Sequence, residues 1–307
     1  MHTFKPLTAA LFISLGLGAC KKEDTPPPAP VDYHQNAPTK FVDVNGSKHA
    51  YRELGASSGT PVLMVAPLGS NMDDWDPAIT NGLAQQYKVI LFDIQGVGAS
   101  TGTTPNNIAD MAKDVTGFIK ALGIPKVNLL GFSLGSFISQ QIALTEPALV
   151  NKIILTGTGP KGATGLSNLP ALLAAGANLS AEDNFLRFGF TKSEQSIQAG
   201  KASWLRVQQR TQNRDAAITN ESFSAAVQAV LGWAQPNPDA LNELKTVKQP
   251  VLIAQGKEDL PVPVQNAVNM SQNFPNATLI VYPDAAHAAL FQHTDDFVKR
   301  TSAFLAQ

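Results

Sequence analysis

Six short, unbroken apolar runs do most to limit what this chain can fold into: PVLMVAP (61–67), KVILFDI (88–94), KVNLLGF (126–132), NKIILTG (151–157), PVLIAQG (250–256) and ATLIVYP (277–283). A strand with one face in water alternates apolar and polar side chains. A run without that alternation, rich in Val, Ile and Leu, suits a strand covered on both faces. Helical periodicity fills several of the gaps. Residues 106–123 place Ile108, Met111, Val115, Phe118, Ile119 and Leu122 on one face and stop at Gly123; residues 133–147 carry Leu134, Phe137, Ile138 and Ile142 and end by Pro147. This alternation predicts an α/β fold with a mostly parallel central sheet flanked by helices. Upstream, KFVDVNGSKHAYRELG alternates around Asn45-Gly46 and predicts a β-hairpin.

The rhythm breaks once. Residues 160–247 hold no convincing strand but several amphipathic segments, among them AEDNFLRFGF, KASWLRVQQR and ESFSAAVQAVLGWA. A helical insertion after the sixth strand predicts a cap over the strands' C-terminal ends, where α/β folds bind ligands. The core is then 41–159 with 248–307, and the cap 160–247. A chain of 307 residues, 44% hydrophobic, can bury one large core of this kind. Its net charge of −1 and 15% charged content give no footprint for nucleic acid, so small-molecule chemistry is the natural expectation.

The N-terminus reads differently. MHTFKPLTAALFISLGLGAC has a short polar head with His2 and Lys5, then an apolar run from Leu7 to Ala19, too short to span a bilayer comfortably. This predicts a signal peptide over 1–19. Its end, LGAC, resembles the lipobox of bacterial lipoproteins, which implies that Cys20 is acylated and anchors the chain to a membrane of the bacterial cell envelope. Cys20 is the only cysteine, so no intramolecular disulfide competes for it. Residues 20–40, rich in proline and without apolar periodicity, predict an extended tether.

The strand at 126–132 runs into GFSLG, with Ser133 framed by Gly131 and Gly135. A pattern this short recurs by chance in roughly one such chain in ten, so its surroundings decide its meaning. Strand, G-x-S-x-G, then helix is the setting of a nucleophile elbow, in which the flanking glycines give clearance to a serine on a strained turn. A serine hydroxyl needs a base. Of five histidines, His2 lies in the signal segment, His34 in the tether and His49 in the hairpin. His287 follows a strand end in the small-residue loop DAAHAAL, whereas His293 falls inside a terminal helix pattern. Asp259, just past another strand end in VLIAQGKEDLPVP, can orient the imidazole, with Glu258 as the neighbouring alternative. The order Ser133, Asp259, His287 suits this arrangement. A second motif, GTGPKG (157–162), is formally G-x-G-x-x-G, but Pro160 and the start of the cap replace the helix that a dinucleotide site needs.

The elbow GFSLGS, the acid in GKEDLPVP, the histidine in DAAHAAL and the turn FDIQGVGAST together resemble the α/β-hydrolase family, from about residue 41 to 307. The last of these is similar to D-x-x-G-x-G-x-S at Asp93, Gly96, Gly98 and Ser100, a structural turn in that family. The resemblance implies a serine hydrolase cleaving an ester or related acyl compound through an acyl-enzyme, as a monomer, with no metal or organic cofactor. Family members carry His-Gly after the third strand; here VAPLGSNMDDW, aligned on Trp75, puts Ala66 and Pro67 there and Leu68 at the oxyanion position. Pro67 has no N–H, but Leu68 has, so the Leu68 and Leu134 amides are the expected oxyanion hole, with Gly69 as the alternative. Cap aromatics, Phe188, Trp204 and Trp233 among them, suggest an apolar pocket. The same triad also serves carbon–carbon bond hydrolases, acyltransferases and cofactor-free peroxidases, and an inactive, lipid-anchored binding protein on this scaffold is the alternative of another class.

Overall fold

A computed structural model describes residues 1–3, 31–56 and 58–307; most of the expected signal peptide, Cys20 and the tether up to residue 30 lie outside the described residues. The chain divides after Val31, and among the described residues every strand and helix belongs to the unit Asp32–Gln307.

All six apolar runs are strands. The hairpin supplies β1 (Lys40–Val44) and β2 (Ser47–Leu54), followed by β3 (Val62–Val65), β4 (Val89–Phe92), β5 (Val127–Phe132), β6 (Val150–Thr156), β7 (Val251–Gly256) and β8 (Ala277–Tyr282). Asn45 and Gly46 both adopt positive φ, 51° and 88°, as the tight hairpin turn requires. The sheet order is β1-β2-β4-β3-β5-β6-β7-β8, antiparallel at β1–β2 and β2–β4 and parallel from there on.

Helices cover both faces: α1 (Tyr33–Asn36), α2 (Pro77–Ala84), α3 (Ile108–Ala121) and α4 (Leu134–Thr145), then the cap helices α5 (Leu169–Ala174), α6 (Ala181–Gly189), α7 (Glu194–Val207), α8 (Asn220–Trp233) and α9 (Ala240–Leu244), and finally α10 (Gln265–Asn273), α11 (Ala289–Gln292) and α12 (Thr294–Leu305). Double coverage explains the unbroken runs. Leu63, Ile90, Leu129, Ile153 and Ile253 join the core beside Phe118 of α3 and Phe137 of α4. Their chain neighbours Met64, Leu91, Leu130, Ile154 and Leu252 join the opposite core, with Ile79 of α2 and Phe297 of α12. Each such side chain contributes about 2 kcal/mol of burial.

After β3 the chain turns to β4 on one side, then crosses to β5 on the other. This reversal opens a crevice at the C-terminal ends of β3 and β5, the ligand position of open α/β sheets.

The expected tether does not extend to residue 40. Asp32 caps α1 by accepting from Gln35 N–H, and His34 is buried with Nδ1 2.9 Å from Thr80 Oγ1. Arg210, from the cap, donates to the carbonyls of His34, Gln35 and Ala37, satisfying the end of the helix. These partners lie 46 to 176 residues away in sequence, beyond the reach of a compositional reading.

Buried charge fastens the cap. Arg52 of β2, fully buried, donates to Asp73 and, on the cap side, to the Asn213 carbonyl and Asp215. Asp215 N–H donates to Asp73 Oδ2 at 2.7 Å, and Arg206 of α7 grips Asp76 with two N–H groups. Burial pushes the Asp215 carboxyl up to about 6 against the pull of Arg52, and burial followed by Asp215 pushes its neighbour Asp93 well above the usual carboxylate range.

Candidate active site

The elbow owes its shape to two glycines. Ser133 sits at φ 52°, ψ −115°, a region costly for any side chain-bearing residue, and links β5 directly to α4. A Cβ on Gly131 would fall 2.4 Å from the Gly135 carbonyl oxygen, and one on Gly135 would fall 1.9 Å from that of Val65. The G-x-S-x-G spacing is therefore a clearance requirement on both sides of the turn. Ser133 N–H donates to the Thr156 carbonyl, and the buried Ser136 hydroxyl donates to the carbonyls of Gly131 and Thr156, clamping the turn to β6. Ser136 is a part of the elbow that sequence reasoning missed.

Asp259 and His287 meet. His287 Nδ1 lies 2.9 Å from Asp259 Oδ2, both groups buried. The two loops are laced together: Glu258 N–H donates to the Ala285 carbonyl, and Gly256 leaves no room for a Cβ against the Ala285 and Ala286 carbonyls. Glu258, the alternative acid, is exposed. The Asp259 carboxylate accepts two further donors: Oδ1 accepts Val262 N–H at 2.8 Å, and Oδ2 also accepts Gln255 Nε2 at 2.7 Å.

His287 also abuts the elbow. Its ring centroid is 5.1 Å from that of Phe132, the residue before Ser133, and the Phe188 ring stands edge-on at 5.5 Å. A Cβ on Gly157 would come 2.8 Å from His287 Cε1. This gives GTGPKG its meaning: Gly157 and Gly159 make room for His287 and for the Ala163 and Val262 side chains, and no helix opens there. Among the described residues neither the Ser133 hydroxyl nor His287 Nε2 has a hydrogen-bond partner.

Opposite the elbow, Pro67 to Ser70 form a turn closed by Ser70 N–H to the Pro67 carbonyl, with Gly69 at φ 80° in the third position. The Leu68 and Leu134 amides donate to no protein acceptor among the described residues, as a helix start and a turn permit. A cavity of about 20 Å³, room for about one water, adjoins this turn and is bounded by Pro67, Gly69, Leu134, Ile138, Phe223 and Ala226. Phe223 of α8 was not singled out by the sequence, yet it lies 3.2 Å from where a Cβ of Gly69 would be.

The expected pocket residues separate. Phe188 stands against His287. Trp204 packs on Phe185 at 5.6 Å. Trp233 is no pocket wall: it is buried, stacked on Phe137, and its Nε1 donates to the Gly159 carbonyl. Asp93 carries the structural role expected of it, with Oδ1 accepting Met72 N–H and its carbonyl accepting the Ser100 hydroxyl. His49 pairs with Asp114, and His293 stacks on Tyr282, both away from the elbow.

A strained serine at the β5–α4 turn, with a buried Asp–His pair in the loops after β7 and β8, is the layout of the α/β hydrolases. Residues 60–294 match the family described as alpha/beta hydrolase fold, and the chain belongs to that family. A solved alpha/beta hydrolase fold protein from Chitinophaga pinensis is 39% identical, with a TM-score of 0.86 over 89% of this chain and 98% of that one. Among curated relatives, a 2-hydroxy-6-oxo-6-phenylhexa-2,4-dienoate hydrolase of Burkholderia cepacia is 27% identical over 89% of this chain and 98% of its own length. A pimeloyl-[acyl-carrier protein] methyl ester esterase of Aliivibrio salmonicida is 26% identical over 80% and 92%.

Proposed function

We propose that the protein is a serine hydrolase of carboxylic esters, with Ser133 as nucleophile, His287 as general base and Asp259 as the acid that orients it. The observation that carries the reading is the Asp259–His287 contact packed against the strained turn of Ser133. Asp259 fixes the tautomer with the proton on Nδ1, which leaves Nε2 to accept the Ser133 proton as Oγ attacks the ester carbonyl carbon. The negative charge arising on the carbonyl oxygen is met by the Leu68 and Leu134 N–H groups and the N-terminus of α4. Collapse breaks the ester C–O bond and His287 returns the proton to the departing alcohol. Water, deprotonated by the same histidine, then releases the acid and restores Ser133.

The relatives include a 2-hydroxy-6-oxo-6-phenylhexa-2,4-dienoate hydrolase and a pimeloyl-[acyl-carrier protein] methyl ester esterase. The ester reading draws on the methyl ester esterase among those relatives. The reading extends to the N-terminus: the lipobox-like LGAC supports acylation of Cys20 and attachment to a membrane of the cell envelope.

Fluorophosphonate labelling of the wild type and of Ser133→Ala, with a panel of nitrophenyl esters of varied chain length, tests the enzyme reading. Labelling and hydrolysis that vanish in Ser133→Ala are expected; equal labelling of both, or no hydrolysis of any ester, defeats it. A Cys20→Ala protein that still partitions with membranes defeats the anchor.

A further inference from the structure

Gln255, the next-to-last residue of β7, is fully buried, and its amide is spoken for at both ends. Nε2 donates to Asp259 Oδ2 at 2.7 Å and to the Val262 carbonyl at 2.8 Å, while Oε1 accepts Thr158 N–H at 2.9 Å. The orientation of the amide is forced. Turned over, its oxygen would face a carboxylate and a carbonyl, and its NH₂ would face an N–H. Asp259 Oδ2 therefore receives two donors, Gln255 Nε2 and His287 Nδ1.

Thr158 is held from its other side as well. Gln140 of α4 donates to the Thr158 hydroxyl at 3.0 Å and to the Gly159 carbonyl at 3.1 Å. Two buried glutamines thus brace the segment after β6, one from the helix that begins at the elbow and one from the strand that carries the acid.

We propose that Gln255 is a positioning residue of the triad: it holds the Asp259 carboxylate in plane with the imidazole and shares Oδ2 with it. This rests on the triad assignment of Ser133, His287 and Asp259. A second N–H on Oδ2 draws off part of the carboxylate's charge, so His287 feels a weaker counter-ion than an unshared carboxylate would give. Removing the Gln255 donor leaves Oδ2 to His287 alone, which stabilises the imidazolium. The base is then lost to protonation at a higher pH. The carboxylate also loses one of its three tethers, so the imidazole is less well aimed.

The test uses the pH dependence of fluorophosphonate labelling at Ser133, which needs no knowledge of the natural substrate, together with nitrophenyl acetate hydrolysis. Gln255→Met and Gln255→Leu both remove the donor at similar volume, so that one well-folded variant suffices. The expected result is an acid limb moved up by about half a pH unit or more, with kcat lowered about ten-fold and KM little changed. A limb left in place or moved down, or a kcat equal to wild type, overturns the proposal. Loss of a cooperative thermal transition in both variants also overturns it, in favour of a purely structural role. Failure of the triad itself has a different signature, which is wild-type labelling that survives in Ser133→Ala.

Discussion

The Gly135 Cα points at the Val65 carbonyl so closely that a Cβ there would lie 1.9 Å from the oxygen, with the Ala66 carbonyl oxygen at 2.9 Å. Both obstacles are backbone at the end of β3, so relief requires the elbow and the facing turn to part. Gly135→Ala is expected to lower fluorophosphonate labelling about 100-fold, the scale of a misplacement of about an ångström. It should also lower the thermal midpoint. Wild-type labelling of a soluble Gly135→Ala protein would show that the two segments are not in contact.

Two cap aromatics are expected to part company. Phe223 borders the cavity and faces Gly69, so Phe223→Ala should raise kcat/KM for longer-chain nitrophenyl esters about ten-fold relative to the acetate. Trp233 is stacked on Phe137 and holds the Gly159 carbonyl. Trp233→Ala should cost about 3 kcal/mol in denaturant unfolding while leaving chain-length preference as it was. A reversed pattern would mean that Trp233 lines the pocket.

Asp215 should make the protein less stable as pH rises. Burial holds its folded carboxyl at about 6, above the value near 4 of an unfolded aspartate. Its contribution is therefore full below pH 4 and is lost as pH climbs through 6. Asp215→Asn keeps a polar group facing both Arg52 and Asp93 without the proton equilibrium, so this loss should disappear from midpoints measured between pH 4 and 7.

His34 should act in the opposite sense. Burial lowers its imidazole to about 4, so the unfolded chain takes up a proton near pH 6.5 that the folded chain refuses. Stability from this group is present above 6.5 and is lost as pH falls through 4, by about 3 kcal/mol at most. In His34→Asn, which can keep the Thr80 contact, the loss of stability between pH 6.5 and 4 should be smaller than in the wild type. Parallel pH profiles for wild type and His34→Asn would show that His34 is not shielded.

The sequence by itself determined the strands, the helical insertion after the sixth of them, the strained turn at Ser133 and the strand-end places of Asp259 and His287. Each of these is local. Unbroken apolar runs, a serine between glycines and a polar residue just past a strand end are set by near neighbours along the chain. The resemblance to the family joined those pieces in order. Only the tertiary structure decided how distant groups share space. Residues 32–37 read as tether because proline-rich composition carries no sign of Arg210 closing over them. Trp233 read as a pocket wall because an aromatic residue in an amphipathic helix does not declare which buried surface it meets. GTGPKG imitates a phosphate loop because glycine signals only that a side chain is excluded, and here the excluding group is His287, 130 residues on. Gln255 lay unread inside an apolar run, since a buried amide has meaning only through the three partners that the fold brings within 3 Å of it.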